Sequence, residues 1–228
     1  MDNLIKLENI SFAYKKHLIY DDLNLTVQKG DVLAVLGHNG AGKTTLLKIM
    51  AGLLKIQGGN IEKNVLTQDV GFMNEALGLY PFLNAKENLE LLTLRHNIKY
   101  SSSEIESVLN EFNLNSREIV EHYSTGMKKK LSLLGVLLAK PKLFLLDEPF
   151  SGIDPVSKKY ITEKILENAN QENAFVIVNH DLQTSAKLCN KFLIINEGKI
   201  VFYSDKKEDI ENLEAIYLKY SEGEVSGF

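Results

Sequence analysis

The chain has 228 residues, 44% hydrophobic and 25% charged, with net charge −4 and an isoelectric point near 5.8. This length suits one large domain, or a core with a sizeable insertion, and the acidic balance argues against general attraction to nucleic acid or anionic membrane. A lone cysteine, Cys189, excludes an internal disulfide framework and fits a reducing compartment.

The first ten residues, MDNLIKLENI, lack the basic-then-apolar build of a signal peptide. The longest mostly apolar stretch, Leu131 to Ala139, is too short to span a bilayer. Both features predict a cytosolic chain whose membrane role, if any, comes through a partner. Leu4 to Leu7 and Ile10 to Tyr14 read as strands, followed by a polar turn at Lys15 and Lys16. Leu23 to Val27 alternates with period two. After a turn at Gly30 and Asp31, the unalternating run Val32 to Leu36 predicts a strand buried on both faces, and Thr44 to Ala51 a helix ended by Gly52.

Gly58 and Gly59 suggest a turn, with extended chain then running to Phe72. The composition shifts next to three helical patterns, Ala85 to His96, Ser103 to Phe112 and Thr125 to Ala139, with Ser103 and Glu106 as a capping box for the middle one. Short apolar strands follow at Leu143 to Leu146 and Phe175 to Val178, with a helix over Val156 to Asn168 between them. Phe192 to Asn196 and Lys199 to Tyr203 flank a hairpin turn at Glu197 and Gly198, and an amphipathic segment runs from Lys207 to Tyr220. The pattern is an α/β sheet domain interrupted by helices.

The segment GHNGAGKTT, residues 37 to 45, fits G-x-x-x-x-G-K-[ST] between a predicted strand and a predicted helix. In such a loop, formed here by Gly37, His38, Asn39, Gly40, Ala41 and Gly42, successive backbone N–H groups cradle phosphate oxygens, aided by the positive end of the helix dipole. Lys43 would reach the β- and γ-phosphates of ATP, Thr44 would ligate Mg²⁺, and Thr45 could add a hydroxyl to the α-phosphate. The alternative is a glycine-rich turn with a solvated lysine, which the strand and helix on either side disfavour.

A second segment, LFLLDEP at 143 to 149, puts two acids at the carboxyl end of a buried strand. That is costly unless something cationic sits there, and parallel sheets bind ligands at that edge. Asp147 would hold Mg²⁺, directly or through water, and Glu148 would accept a proton from attacking water. Read alone, the pair could instead cap the following helix.

The stretch YSTGMKKKLSLLGVLLAKPKLFLLDEPFSGIDP, from Tyr123, resembles the signature-to-D-loop region of ATP-binding cassette (ABC) ATPases. The resemblance runs from Leu4 to about Tyr220. It implies a phosphate-loop NTPase (RecA-like) core, 1–75 and 141–206, with an N-terminal antiparallel β-subdomain. It also implies an α-helical insertion at 76–140 and a helical tail at 207–228. Tyr14 falls where the family stacks an aromatic on adenine. Glu75 falls where it usually carries a glutamine near the metal, and His180 at its γ-phosphate switch. Ser124 and Gly126 keep the signature positions that offer a hydroxyl and an unobstructed N–H, while Thr125 and Met127 depart from it. Lys128, Lys129 and Lys130 read as a solvated helix face.

The resemblance further implies a head-to-tail dimer, simplest as a homodimer, in which ATP on one copy is capped by Ser124 and Gly126 of the other, with Asp154 at the seam. The partner would be a membrane permease subunit that docks beside the apolar segment from Ala76. The short tail looks like that of bacterial export-type subunits. The expected role is therefore an ATPase subunit energising a membrane exporter from the inner face of the cell membrane, with no nucleic-acid partner. Two alternatives differ in class: a soluble ABC ATPase acting on nucleic acid or in assembly, and a nucleotide switch without turnover. The first lacks the tandem cassettes or basic face it would need, and Glu148 argues against the second.

Overall fold

The computed structural model describes residues 2–74, 78–169 and 172–221. It begins with an antiparallel pair, β1 (Asn3–Tyr14) and β2 (His17–Gln28), joined at Lys15 and Lys16. The two strand pieces expected before Lys15 are one strand. Asn9 takes φ 52°, and a register shift falls between Leu7 and Ile10, so the polar Glu8-Asn9 step is a bulge rather than a break.

Gly58 and Gly59 are not a turn. They open a third strand of this sheet, on the other side of β1 from β2, at Gly58–Lys63. A Cβ on Gly59 would lie 2.4 Å from the carbonyl oxygens of Glu8 and Asn9, so the glycine serves close backbone approach.

The second sheet is built on β3 (Val32–Leu36), followed by α1 (Lys43–Ala51). Counting the Gly58–Lys63 strand as β4, its other members are β5 (Val70–Met73), β6 (Leu143–Asp147), β7 (Ala174–Val178), β8 (Lys191–Asn196) and β9 (Lys199–Ser204). The order is β5-β6-β7-β3-β8-β9, parallel throughout except for β9. Every residue of β3, β6 and β7 is buried, because both faces are covered.

Alternate residues serve the two covering layers. Leu33, Val35, Leu145 and Val176 pack in one core with β1, β2 and α1, while Ala34, Leu146 and Ile177 pack in another with the remaining helices. In the second core Phe144 stacks on Phe175 with centroids 4.0 Å apart. Glu197 and Gly198 both have positive φ, as a tight β8–β9 hairpin demands.

Between β5 and β6 the chain forms α2 (Ala85–Leu94), α3 (Ser102–Glu111) and α4 (Thr125–Leu138). The capping box of α3 uses Ser101 and Glu104, two residues before the expected pair; Ser103 and Glu106 lie inside the helix. The α5 helix (Pro155–Asn168) follows β6. After β7 comes α6 (Leu182–Leu188), a short helix capped by Asp181, not expected from the sequence pattern. The tail is two helices rather than one, α7 (Lys207–Glu211) and α8 (Leu213–Ser221), broken at Asn212; α8 packs Tyr220 on Phe202 of β9. Among the described residues no helix is long and apolar enough to cross a membrane.

Candidate functional site

The carboxyl ends of β3, β6 and β7 converge on a cleft of about 440 Å³, where a parallel sheet places its ligands. Its floor is the loop between β3 and α1. Gly37 is pinned against the sheet, where a Cβ would lie 2.3 Å from the carbonyl oxygen of Ile195. Gly42 caps α1 with φ 106° and no side chain over the helix end, which leaves the first N–H groups of α1 free for an anion. Asn39, Gly40, Lys43, Thr44 and Thr45 line the cleft. Ala41 is buried against the neighbouring core, and His38 is exposed, its ring Nδ1 2.7 Å from the Asn39 carbonyl oxygen.

Lys43 is only 6% exposed. Its ammonium donates to the carbonyls of Gly37 at 2.8 Å and His38 at 2.9 Å. Burial lowers its pKa, and the carboxylates of Glu148 and Asp147 oppose that shift. A buried cation partly held by two neutral carbonyls is well placed to engage phosphate oxygens.

The loop and the acid pair form one unit. The Thr44 hydroxyl donates to Asp147 Oδ2 at 2.7 Å across 103 positions of sequence. Glu148 turns out of β6 with φ 51°, and its N–H donates to the carbonyl of Val178 at 3.0 Å. Glu148 Oε1 lies 3.1 Å from His180 Nε2. The pair forms no hydrogen bond, and Oε1 is a buried acceptor without a hydrogen-bond partner among the described residues. Burial raises the Glu148 pKa, with Asp147 adding to the shift and Lys43 opposing it. For His180, burial and then Lys43 lower the pKa, so the ring is neutral near pH 7. A carboxylate made more basic, facing the cleft with an unsatisfied oxygen, is suited to accept a proton from water.

Other expected site residues lie elsewhere. Tyr14 does not line the cleft; it is 42% exposed and set edge-on to Phe12 at 4.9 Å. Its register partner His17, together with Ile19, does line it. Glu75 lies outside the described residues.

Ser124 and Gly126 also fall outside the cleft lining. Ser124 is exposed and caps α4, its hydroxyl accepting from the Met127 N–H at 3.2 Å. A Cβ on Gly126 would lie 2.7 Å from the Gly152 carbonyl oxygen, so this turn rests directly on the loop after Glu148. Lys130 is not part of a solvated face. It is 9% exposed and donates to the Phe112 carbonyl at 3.1 Å, with Asp154 Oδ2 and Ser157 Oγ both at 3.4 Å. Asp154 in turn caps α5, accepting from the N–H of Ser157, and the Ser157 bonds bring its pKa down to about 2. Lys130 thereby locks the start of α4 to the start of α5, a role hidden in the sequence because three successive lysines look alike.

The donor set at the loop fits a hard divalent cation. Thr44 and Asp147 offer adjacent oxygens. Such a pair suits a cation that takes one or two protein oxygens and completes its shell with phosphates and water.

The sequence profile of the ABC transporter family matches residues 20–151. The chain is 31% identical to the ergothioneine transport ATP-binding protein EgtV of Helicobacter pylori (strain G27), over 87% of this chain and 100% of that one. It is 32% identical to the lantibiotic transport ATP-binding protein SrtF of Streptococcus pyogenes, over 94% of this chain and 96% of that one. A solved structure of the ATP-binding subunit of an ABC transporter superposes with a TM-score of 0.85 at 26% identity, covering 95% of this chain and 98% of the other.

Proposed function

The chain belongs to the ABC transporter family, and we propose that it binds and hydrolyses ATP to energise a separate membrane permease of the exporting kind. The observation that carries this reading is the bond from Thr44 to Asp147, which joins the phosphate loop to the acid pair and sets Glu148 over the same cleft.

The triphosphate lies along the loop, with the α1 N-terminus and Lys43 on its β- and γ-phosphates. Thr44 and Asp147 would hold Mg²⁺, which would neutralise charge on those oxygens. Glu148 takes a proton from the water that attacks the γ-phosphorus. The bond from that phosphorus to the bridging oxygen breaks, leaving ADP and inorganic phosphate. His180, neutral and beside Glu148, can donate to a γ-phosphate oxygen. The adenine rests near the end of the β1–β2 hairpin, where Tyr14 pairs with His17.

Ser124 and Gly126 do not reach their own cleft, so they serve that of a second copy. Support comes from the N-terminus of α4, where Ser124 is exposed and the helix dipole favours an anion. Two chains related head to tail then close over ATP and part after hydrolysis. The permease docks on the cytoplasmic side, at the groove between Leu53, Phe72 and Leu92.

Steady-state phosphate release tests the reading. Glu148→Gln should lower turnover by about 10²- to 10⁴-fold while ATP still binds. Retained turnover would assign the base elsewhere.

A further inference from the structure

Tyr20 of β2 is fully buried, and its hydroxyl donates to the Gly42 carbonyl at 2.7 Å. It does not line the cleft, although His17 and Ile19 of the same strand do. The Gly42 carbonyl also accepts from the Leu46 N–H at 2.9 Å, the first bond of α1. Both lone pairs of that oxygen are therefore engaged, one by the helix and one by a side chain from the other sheet.

Gly42 sits in the left-handed region, with no side chain to hold the turn. A loop with glycine at 37, 40 and 42 is conformationally permissive, and its shape must be imposed from outside. The Gly42–Lys43 peptide is trans, so its C=O and N–H point in opposite directions. Holding the carbonyl toward Tyr20 and Leu46 turns the Lys43 N–H the other way, out of the helix and toward the cleft. Tyr20 is itself braced. A Cβ on Gly198, in the β8–β9 turn, would lie 1.9 Å from the Ile19 carbonyl oxygen, so that turn rests on the β2 backbone beside it.

We propose that Tyr20 is a positioning residue for nucleotide binding: through the Gly42 carbonyl it fixes the Gly42–Lys43 peptide, so that the Lys43 N–H faces the β-phosphate before nucleotide arrives. The proposal rests on the reading of the cleft as an ATP site. Tyr20 acts on the loop and touches no reacting atom, so its removal weakens ground-state and transition-state binding alike.

Tyr20→Phe deletes one oxygen and keeps the ring volume. Loss of a buried hydrogen bond of ordinary strength should raise KM for ATP by about 3- to 10-fold, with a smaller change in kcat. In nucleotide-free protein, amide hydrogen exchange at Leu46, whose N–H bonds the Gly42 carbonyl, should accelerate while that of β1 and β2 stays as in the wild type. An unchanged KM with unchanged exchange would overturn the proposal. So would acceleration spread evenly over β1, β2 and α1, which would mark Tyr20 as a core residue only. A wild-type protein without ATPase activity would instead refute the ATP-site reading, and the exchange measurement would still decide the role of Tyr20.

Discussion

The two parts of the apparatus that should meet around a nucleotide differ in how they are embedded. The phosphate cup is enclosed: Lys43 and Asp147 are about 95% buried, Tyr20 supports the loop, and Thr44 ties it to β6. At the tip Ser124 is exposed and Gly126 half-buried, and the tip is fixed from behind, by Gly126 against Gly152 and by Lys130 to Asp154. A helix start that lies outside its own cleft is what the proposed dimer requires. On the head-to-tail dimer proposed above, this chain carries a whole binding cup and the lid for a different cup.

Ser124→Asp would break that division most sharply. Aspartate caps a helix as well as serine does, so α4 should keep its stability. A negative charge aimed at the γ-phosphate of a second copy should lower turnover by about 10²-fold or more while ATP binding to single chains survives. Equal loss of binding would mean that the tip serves its own cup.

Acid should act on the cup and spare the tip. The Glu148 pKa is raised by burial, and the base must be deprotonated to work. Turnover should therefore fall about tenfold per pH unit once the pH drops below that raised value, and the Glu148→Gln variant should lose the dependence. A wild-type profile flat down to the ordinary carboxylate range would contradict the assignment.

The smallest effect is on stability. The folded state favours protonated Glu148, so between the unfolded pKa and the raised folded one it binds more protons than the unfolded chain. Stability contributed by this group is thus present at low pH and lost as pH rises through the folded pKa. At pH 7 Glu148→Gln removes the cost of a buried charge, and Tm should rise by about 2 °C. A fall in Tm would show that Lys43 and His180 compensate the charge more fully than its burial opposes it.

The cup was legible in the sequence because its chemistry constrains the backbone. Glycines at 37, 40 and 42 are forced by positive φ or close contact, and acids after an all-apolar strand are too costly to be incidental. The braces were not legible. Tyr20 reads as any strand aromatic, and the burial of Lys130 depends on where α3 and α5 lie. Local patterns were also degenerate. Ser101 with Glu104 and Ser103 with Glu106 both fit a capping box, and only the formed helix chooses. Gly58 and Gly59 look like a turn until β1 is seen to press on them. The α6 helix is short, and three of its first four residues are polar, two of these buried, so it carried little periodic signal.

The central claim is that the cup of one copy is closed by the tip of another. Its most direct measurement is the molar mass of the Glu148→Gln protein by light scattering, with and without saturating ATP and Mg²⁺. The protein should be a single chain without nucleotide and a dimer with it, and a single chain again when Ser124→Asp is added. A Glu148→Gln protein that binds ATP and stays a single chain, even with its permease supplied in detergent, would contradict it.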